Sequence, residues 1–158
     1  MRISSPKLNI MYKACMKASK SLIRDFGEVE NLQVSSKGPG DFVSSADKRT
    51  EKIIIEEILK AYPNHGILSE EIGKINEKNK TNRWIIDPID GTMNFLNGVP
   101  QFAISVAYEE NNEILCGVIL NPITNMNHRL SKLASQSIDT EHTVIRGENV
   151  FLSRLCPK

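Results

Sequence analysis

Residues 84–95, WIIDPIDGTMNF, contain the side chains of this chain that are best suited to chemistry. Three apolar residues are followed directly by two carboxylates, Asp87 and Asp90, which predicts a buried strand that ends in a tight polar turn. Gly91 allows the backbone to approach a ligand closely, and a short helix is predicted to begin at Thr92. The stretch therefore presents carboxylates and backbone amides together.

This combination of groups suits a metal ion and a phosphate. Mg²⁺ takes one or two carboxylates, several waters and phosphate oxygens, and the amides at the start of a helix favour an anion. From the spacing alone, a plain Asp-Pro turn capped by Asp90 fits equally well, because Asp-Gly turns are common. Both interpretations stay open at this point.

Two helices are predicted before this stretch. Pro6 marks the start of the first helix, whose apolar residues recur every three or four positions until Gly27. The second helix is predicted to begin at Ser44 and to end at Pro63. Ser44 and Asp47 resemble a capping box, which makes Asp47 a first-turn carboxylate stabilised by the helix dipole.

The remaining pattern predicts strands. Residues 66–69 form a short apolar strand, and Glu70 and Glu71 leave its end. Adjacent side chains of an extended chain point to opposite sides, so only one of these two carboxylates is expected to face a site. Residues 103–108 and 114–120 predict an antiparallel hairpin.

The composition is that of an ordinary globular protein. The 158 residues are 40% hydrophobic and 25% charged, with a net charge of +1, so the overall charge favours neither nucleic acid nor a membrane as a partner. No apolar run approaches the roughly 20 residues of a membrane span, and the first residues lack a signal-peptide pattern, which predicts a cytoplasmic protein. Cys15, Cys116 and Cys156 predict buried free thiols because no pair has metal-site spacing.

The motif at residues 84–95, with Ser69-Glu70-Glu71 upstream, resembles the signature of the inositol monophosphatase family, the lithium-sensitive, magnesium-dependent sugar-phosphate phosphatases. The resemblance implies an α+β fold: the amino-terminal half of the layered α-β sandwich of the sugar phosphatase fold, with helices packed on a largely antiparallel sheet. It implies a homodimer for full-length members. It also implies that Mg²⁺ is bound by Glu70, Asp87, Asp90 and the main-chain carbonyl of Ile89.

The same resemblance implies roles in catalysis and phosphate binding. Thr92, hydrogen-bonded to Asp47, acts with Glu70 on the proton of a metal-activated water. The amides of Gly91 and Thr92 bind phosphate oxygens. Lys37, in a polar stretch that predicts a loop, is a further phosphate-binding candidate.

The implied activity is hydrolysis of a small phosphate monoester, myo-inositol 1-phosphate or a similar sugar phosphate. Two alternatives are kept. The chain is a catalytically dead remnant or a binding module, or it is a nucleotide 3'-phosphate or fructose bisphosphate phosphatase of the same superfamily. Asn94 and Phe95, directly after the threonine, favour the inositol-type branch.

The resemblance predicts a division of the chain at Asn125. Residues 1–125 are the family-like amino-terminal half, and residues 126–158 are predicted to be a divergent tail. Family members are longer and continue with a second half that supplies a further metal carboxylate in a Trp-Asp motif, which this sequence lacks. A truncated chain is expected, with a tail that is either frameshifted or disordered. The basic residues of this tail are scattered and do not predict a nucleic-acid patch.

Overall fold

Two helices precede the strands, as predicted, and a short helix interrupts the strands at Thr92. The computed structural model describes residues 5–32, 39–76, 78 and 81–131. Its elements are α1 (Pro6–Leu32), α2 (Pro39–Ala61), β1 (Gly66–Ser69), β2 (Gly73–Ile75), β3 (Asn82–Asp90), α3 (Thr92–Leu96), β4 (Ala103–Glu110), β5 (Glu113–Leu120) and β6 (Asn127–Ser131). None of the helices in these ranges has a stretch long and apolar enough to cross a membrane.

Helix α1 begins at Pro6 as predicted, but it continues past Gly27 to Leu32. The buried stripe explains the extension, because Leu22 and Val29 are one heptad apart and both are buried. A single glycine within a helix costs only about 1 kcal/mol relative to alanine. Packing of Val29 therefore outweighs the helix-breaking tendency of Gly27.

Helix α2 begins at Pro39, earlier than the predicted start at Ser44. Proline suits the first position of a helix because its nitrogen has no hydrogen to leave unpaired. Val43 and Ala46 are buried and extend the apolar stripe of the helix towards its start. Asp47 therefore lies in the helix interior, and its predicted roles in a capping box and in the first turn are wrong.

The six described strands form one sheet in the order β2-β1-β3-β4-β5-β6. The β1–β3 pair is parallel and the other four neighbouring pairs are antiparallel. Helices α1 and α2 pack together and against β3, β4 and β5. Alternate strand residues such as Trp84, Val106 and Val118 are buried in the core they share with the helices. The predicted α+β fold with a largely antiparallel sheet is confirmed.

A bulge in β3 brings its two carboxylates to the same side of the strand. Asp87 lies opposite Ser105 and Asp90 lies opposite Ala103, so β3 has one more residue than β4 in this interval. In a regular strand, residues three positions apart would point to opposite faces. The extra residue shifts the alternation by one position, so Asp87 and Asp90 point to the same side of β3 although they are three positions apart.

The sheet continues beyond Asn125. Strand β6 pairs antiparallel with β5, with Leu120 opposite Asn127 and Cys116 opposite Ser131. The first residues of the predicted tail are thus part of the sheet, while residues 132–158 lie outside the described residues. Cys15 and Cys116 are buried free thiols, as predicted, and Cys156 lies outside the described residues.

Candidate metal and phosphate site

The site forms where β1 ends beside the middle of β3. The two strands are parallel, with Ser69 opposite Ile86, so the residue that follows β1 lies next to the residue that follows Ile86. Glu70 comes directly after Ser69, and Asp87 comes directly after Ile86. Among the neighbouring charges, that of Glu70 has the largest effect on the Asp87 carboxyl group. Parallel pairing therefore joins two carboxylates that are 17 positions apart in the sequence.

Asp87 is a strongly perturbed group. Burial, followed by the charges of Glu70 and Asp90, raises the pKa of Asp87 from 3.8 to about 8, with a smaller effect from Asp47. Its Oδ1 atom is buried and has no hydrogen-bond partner among the described residues. A buried polar atom without a partner is costly, so the position is poised for a ligand that supplies positive charge.

Asp47 faces the same carboxylates from helix α2. It is only 7% exposed, and burial followed by the charges of Glu71, Glu70 and Glu51 raises its pKa from 3.8 to about 7. The charges of both glutamates after β1 therefore act on Asp47. Residues 70–72 form a turn, in which the alternation of an extended strand does not apply, so which of the two side chains faces the site stays a prediction.

Thr92 and Ile89 form a short closed loop. The Thr92 hydroxyl donates a hydrogen bond to the main-chain carbonyl of Ile89 at 2.9 Å, whereas the predicted partner was Asp47. A carbonyl oxygen has two lone pairs, so the Ile89 oxygen retains one acceptor position for a cation. The Thr92 side chain is thereby fixed beside a predicted metal ligand.

Gly91 is required at the turn between β3 and α3. Its φ is +90°, and a Cβ at this position would lie 3.0 Å from the carbonyl oxygen of Gln101. Helix α3 begins at Thr92 as predicted, and Phe95 anchors it in the core with its ring 5.0 Å from that of Phe102. The backbone of this turn is therefore held closely by its surroundings.

Glu51 is a site neighbour that the sequence interpretation missed. It is fully buried, and its two carboxylate oxygens accept hydrogen bonds from the backbone N–H groups of Glu71 and Ile72, each at 3.0 Å. A signal was available in the sequence, because Glu51 lies three positions before Ile54 on the apolar stripe of α2. A charged residue on an apolar stripe requires a buried partner.

Among the described residues, no group of three or more histidine, cysteine or acidic side chains is arranged to hold a metal ion as it stands. The donor set nevertheless fits Mg²⁺, because it consists of hard oxygen atoms and includes the unpartnered Oδ1 of Asp87. Glu70 and Asp90 are exposed. Lys37, the predicted phosphate contact, lies outside the described residues.

Comparison with known proteins identifies the family of this chain. The sequence model of the inositol monophosphatase family matches residues 4–151. The match extends past Asn125, so the likeness continues into the segment that the sequence analysis assigns to a divergent tail. The inositol-1-monophosphatase of Rhizobium meliloti is 56% identical over 149 residues, which are 94% of this chain and 51% of that protein. The Nus factor SuhB of Escherichia coli is 37% identical over 76% of this chain and 45% of its own length.

Solved structures give the same result. The extragenic suppressor protein suhB of Bartonella henselae superimposes with a TM-score of 0.71 at 50% identity, covering 81% of this chain and 50% of that chain. An inositol monophosphatase of Thermotoga maritima superimposes with a TM-score of 0.67 at 32% identity, covering 81% and 49% of the two chains. The present chain spans about half the length of the curated relatives it matches. It belongs to the inositol monophosphatase family.

Proposed function

We propose that this chain carries the metal-binding and phosphate-binding part of a Mg²⁺-dependent phosphomonoesterase that acts on myo-inositol 1-phosphate or a similar sugar phosphate. The observation that carries the proposal is Asp87, whose buried Oδ1 has no partner in the described part of the chain, while burial and the charges of Glu70 and Asp90 raise the pKa of its carboxyl group. Family membership and relatives named inositol-1-monophosphatase support the phosphate ester as substrate.

Glu70, Asp87, Asp90 and the carbonyl of Ile89 would bind the metal. When bound, Mg²⁺ neutralises phosphate charge and makes a water molecule more acidic. The chain's own part is to hold these oxygen donors together where β1 ends beside β3. The β3 bulge contributes by turning Asp87 and Asp90 to the same side.

Other residues of the site would manage the proton and the phosphate. The pKa of Asp47 is raised to about 7, so this carboxyl group can take up or release a proton near neutral pH. The amides of Gly91 and Thr92 are the proposed phosphate contacts, and Lys37 is a further one. Gly91 lets a phosphate approach the backbone because it has no side chain.

The strongest alternative is a chain that binds metal without turnover. This chain spans about half the length of its relatives. Several of the relatives are named Nus factor SuhB, a name that describes no phosphatase reaction. Metal affinity without phosphate release would favour this alternative.

The test is phosphate release from inositol 1-phosphate by the purified full chain with Mg²⁺. We expect turnover that is lost in Asp90→Asn, inhibited by lithium, and retained in the matched control Glu28→Gln, which changes an exposed carboxylate on α1. A nucleotide 3'-phosphate and fructose bisphosphate serve as competing substrates. Absence of turnover from folded protein that binds Mg²⁺ would replace the enzyme by the binding module. Light scattering on the same sample tests the predicted homodimer.

A further inference from the structure

Glu51 makes an unusual pair of contacts for a helix residue. Its side chain is fully buried, yet both partners are backbone groups of another element. One oxygen accepts the N–H of Glu71 and the other accepts the N–H of Ile72, each at 3.0 Å. A carboxylate that accepts two adjacent amide hydrogens is a strong, charge-assisted anchor.

The anchored segment is the turn that follows β1. Glu70 immediately precedes the two bound amides, so the position of its backbone depends on where they are held. The turn is exposed at Glu70, Glu71 and Ile72, so side-chain packing does little to fix it. The pairing of Ser69 with Gly73 closes the turn, and the hydrogen bonds that Glu51 accepts tie it to helix α2.

We infer that Glu51 is a positioning residue that ties the 70–72 turn to helix α2 and thereby holds Glu70 beside Asp87. This inference rests on the proposed metal-binding function, because it concerns the placement of a proposed ligand. Asp47 lies one helical turn before Glu51 on the same helix. One rigid element therefore holds Asp47 directly and Glu70 through the turn.

The chemistry of the anchor requires two acceptors. Glutamine has the same shape as glutamate but offers one acceptor and one NH₂ donor, so it can satisfy only one of the two amides and opposes the other. Glu51→Gln therefore releases one end of the turn with little change in volume. Mutation of a residue that orients a metal ligand typically weakens metal binding by about 10-fold to 100-fold.

The test compares Glu51→Gln with Glu109→Gln in the full chain. Glu109 is also a buried carboxylate, but it pairs with Arg83 at 2.7 Å near the opposite end of β3 and β4. Two readouts are needed: the affinity for Mn²⁺ as a probe of the metal site, and hydrogen exchange at the Glu71 and Ile72 amides. We expect about 10-fold weaker Mn²⁺ binding and faster exchange of these amides in Glu51→Gln.

The control separates positioning from general destabilisation. Glu109→Gln should lower stability without changing Mn²⁺ affinity. Equal Mn²⁺ affinity in Glu51→Gln and wild type, or unchanged exchange at Glu71 and Ile72, would overturn the inference. If both variants lose affinity in parallel with stability, the role of Glu51 is merely structural.

The wild-type chain provides a test that does not depend on any variant folding. If the anchor favours metal binding, the metal must in turn favour the anchor, because coupling between two sites is reciprocal. Saturating Mn²⁺ should therefore slow exchange at Glu71 and Ile72, and no change would contradict the inference. Wild-type protein that binds no Mn²⁺ would overturn the proposed function instead. In that case, hydrogen exchange at the Glu71 and Ile72 amides of Glu51→Gln would still test whether Glu51 restrains the turn.

Discussion

Replacing Asp87 with asparagine should stabilise the metal-free chain while removing its metal affinity. Asp87 is partly buried among carboxylates, and burial together with Glu70 and Asp90 raises its pKa from 3.8 to about 8. At neutral pH the folded chain must therefore either keep Asp87 protonated or bear an unfavourable negative charge. Asparagine keeps the shape of the side chain and carries no charge.

The expected gain follows from the shift in proton affinity. One pKa unit corresponds to ~1.4 kcal/mol, and at neutral pH only the interval between 3.8 and 7 counts, which sets an upper bound of about 4 kcal/mol. Because neighbouring carboxylates share the repulsion and solvent screens part of it, we expect about 1 to 3 kcal/mol for Asp87→Asn.

The sign of the pH dependence gives a sharper test. A raised pKa in the folded chain means that folded protein binds a proton where unfolded protein has lost it, so stability falls as the pH rises from 3.8 through about 8. The advantage of Asp87→Asn should grow over the same interval and be small near pH 4. Urea unfolding in the absence of divalent metal measures it, with Glu28→Gln as a control expected to stay within about 0.5 kcal/mol of wild type.

Metal addition should reverse the order of stability. Saturating Mg²⁺ should stabilise wild type and leave Asp87→Asn unchanged, because ligands that bind only folded protein raise its stability. A variant that is less stable than wild type at neutral pH without metal would refute the electrostatic reasoning. It would mean that favourable contacts of the Asp87 carboxyl group outweigh the repulsion.

Three further predictions concern single residues. Gly91→Ala should cost about 1 to 2 kcal/mol in thermal unfolding, because φ is +90° and the new Cβ would meet the Gln101 oxygen at 3.0 Å; an unchanged melting temperature would contradict this. His65 Nδ1 accepts a hydrogen bond from Trp84 Nε1, and burial lowers the His65 pKa, so stability should fall as the pH drops below about 6.5. Unfolding can be followed by the fluorescence of Trp84, the only tryptophan, at a series of pH values. In His65→Gln, stability should depend less on pH over this range. Burial raises the pKa of Cys15 to about 12, so a thiol reagent should modify it only as fast as the chain unfolds.

Periodicity and turn chemistry were enough to predict most of the elements. The helix start at Pro6, the helix at Thr92 and the antiparallel hairpin were confirmed. The strand at Trp84 was also confirmed, but it continues to Asp90, so the prediction that Asp87 and Asp90 lie in a turn after the strand was wrong. The resemblance of residues 84–95 to a phosphatase signature also predicted the family. These features depend on neighbouring residues, so they can be recognised without knowing the fold.

Helix boundaries were less well predicted because packing decides them. Local propensity favoured an end at Gly27 and a start at Ser44, but buried Val29 and Val43 extended both helices. The capping role of Asp47 failed for the same reason. Asp47 was predicted to lie in the first turn, where the helix dipole would stabilise it. It lies inside the helix instead, and burial and other carboxylates raise its pKa.

By itself, the sequence determined which oxygen donors are available. It also determined the turn at Gly91, which directly follows Asp90. Only the tertiary structure decided how they meet, because Glu70 and Asp87 become neighbours through parallel pairing of β1 and β3. The bulge that aligns Asp87 with Asp90 requires β4 as a reference strand. The contacts of Glu51 join a helix to a turn 20 positions away in the sequence. Patterns of neighbouring residues cannot reveal a contact between positions so far apart.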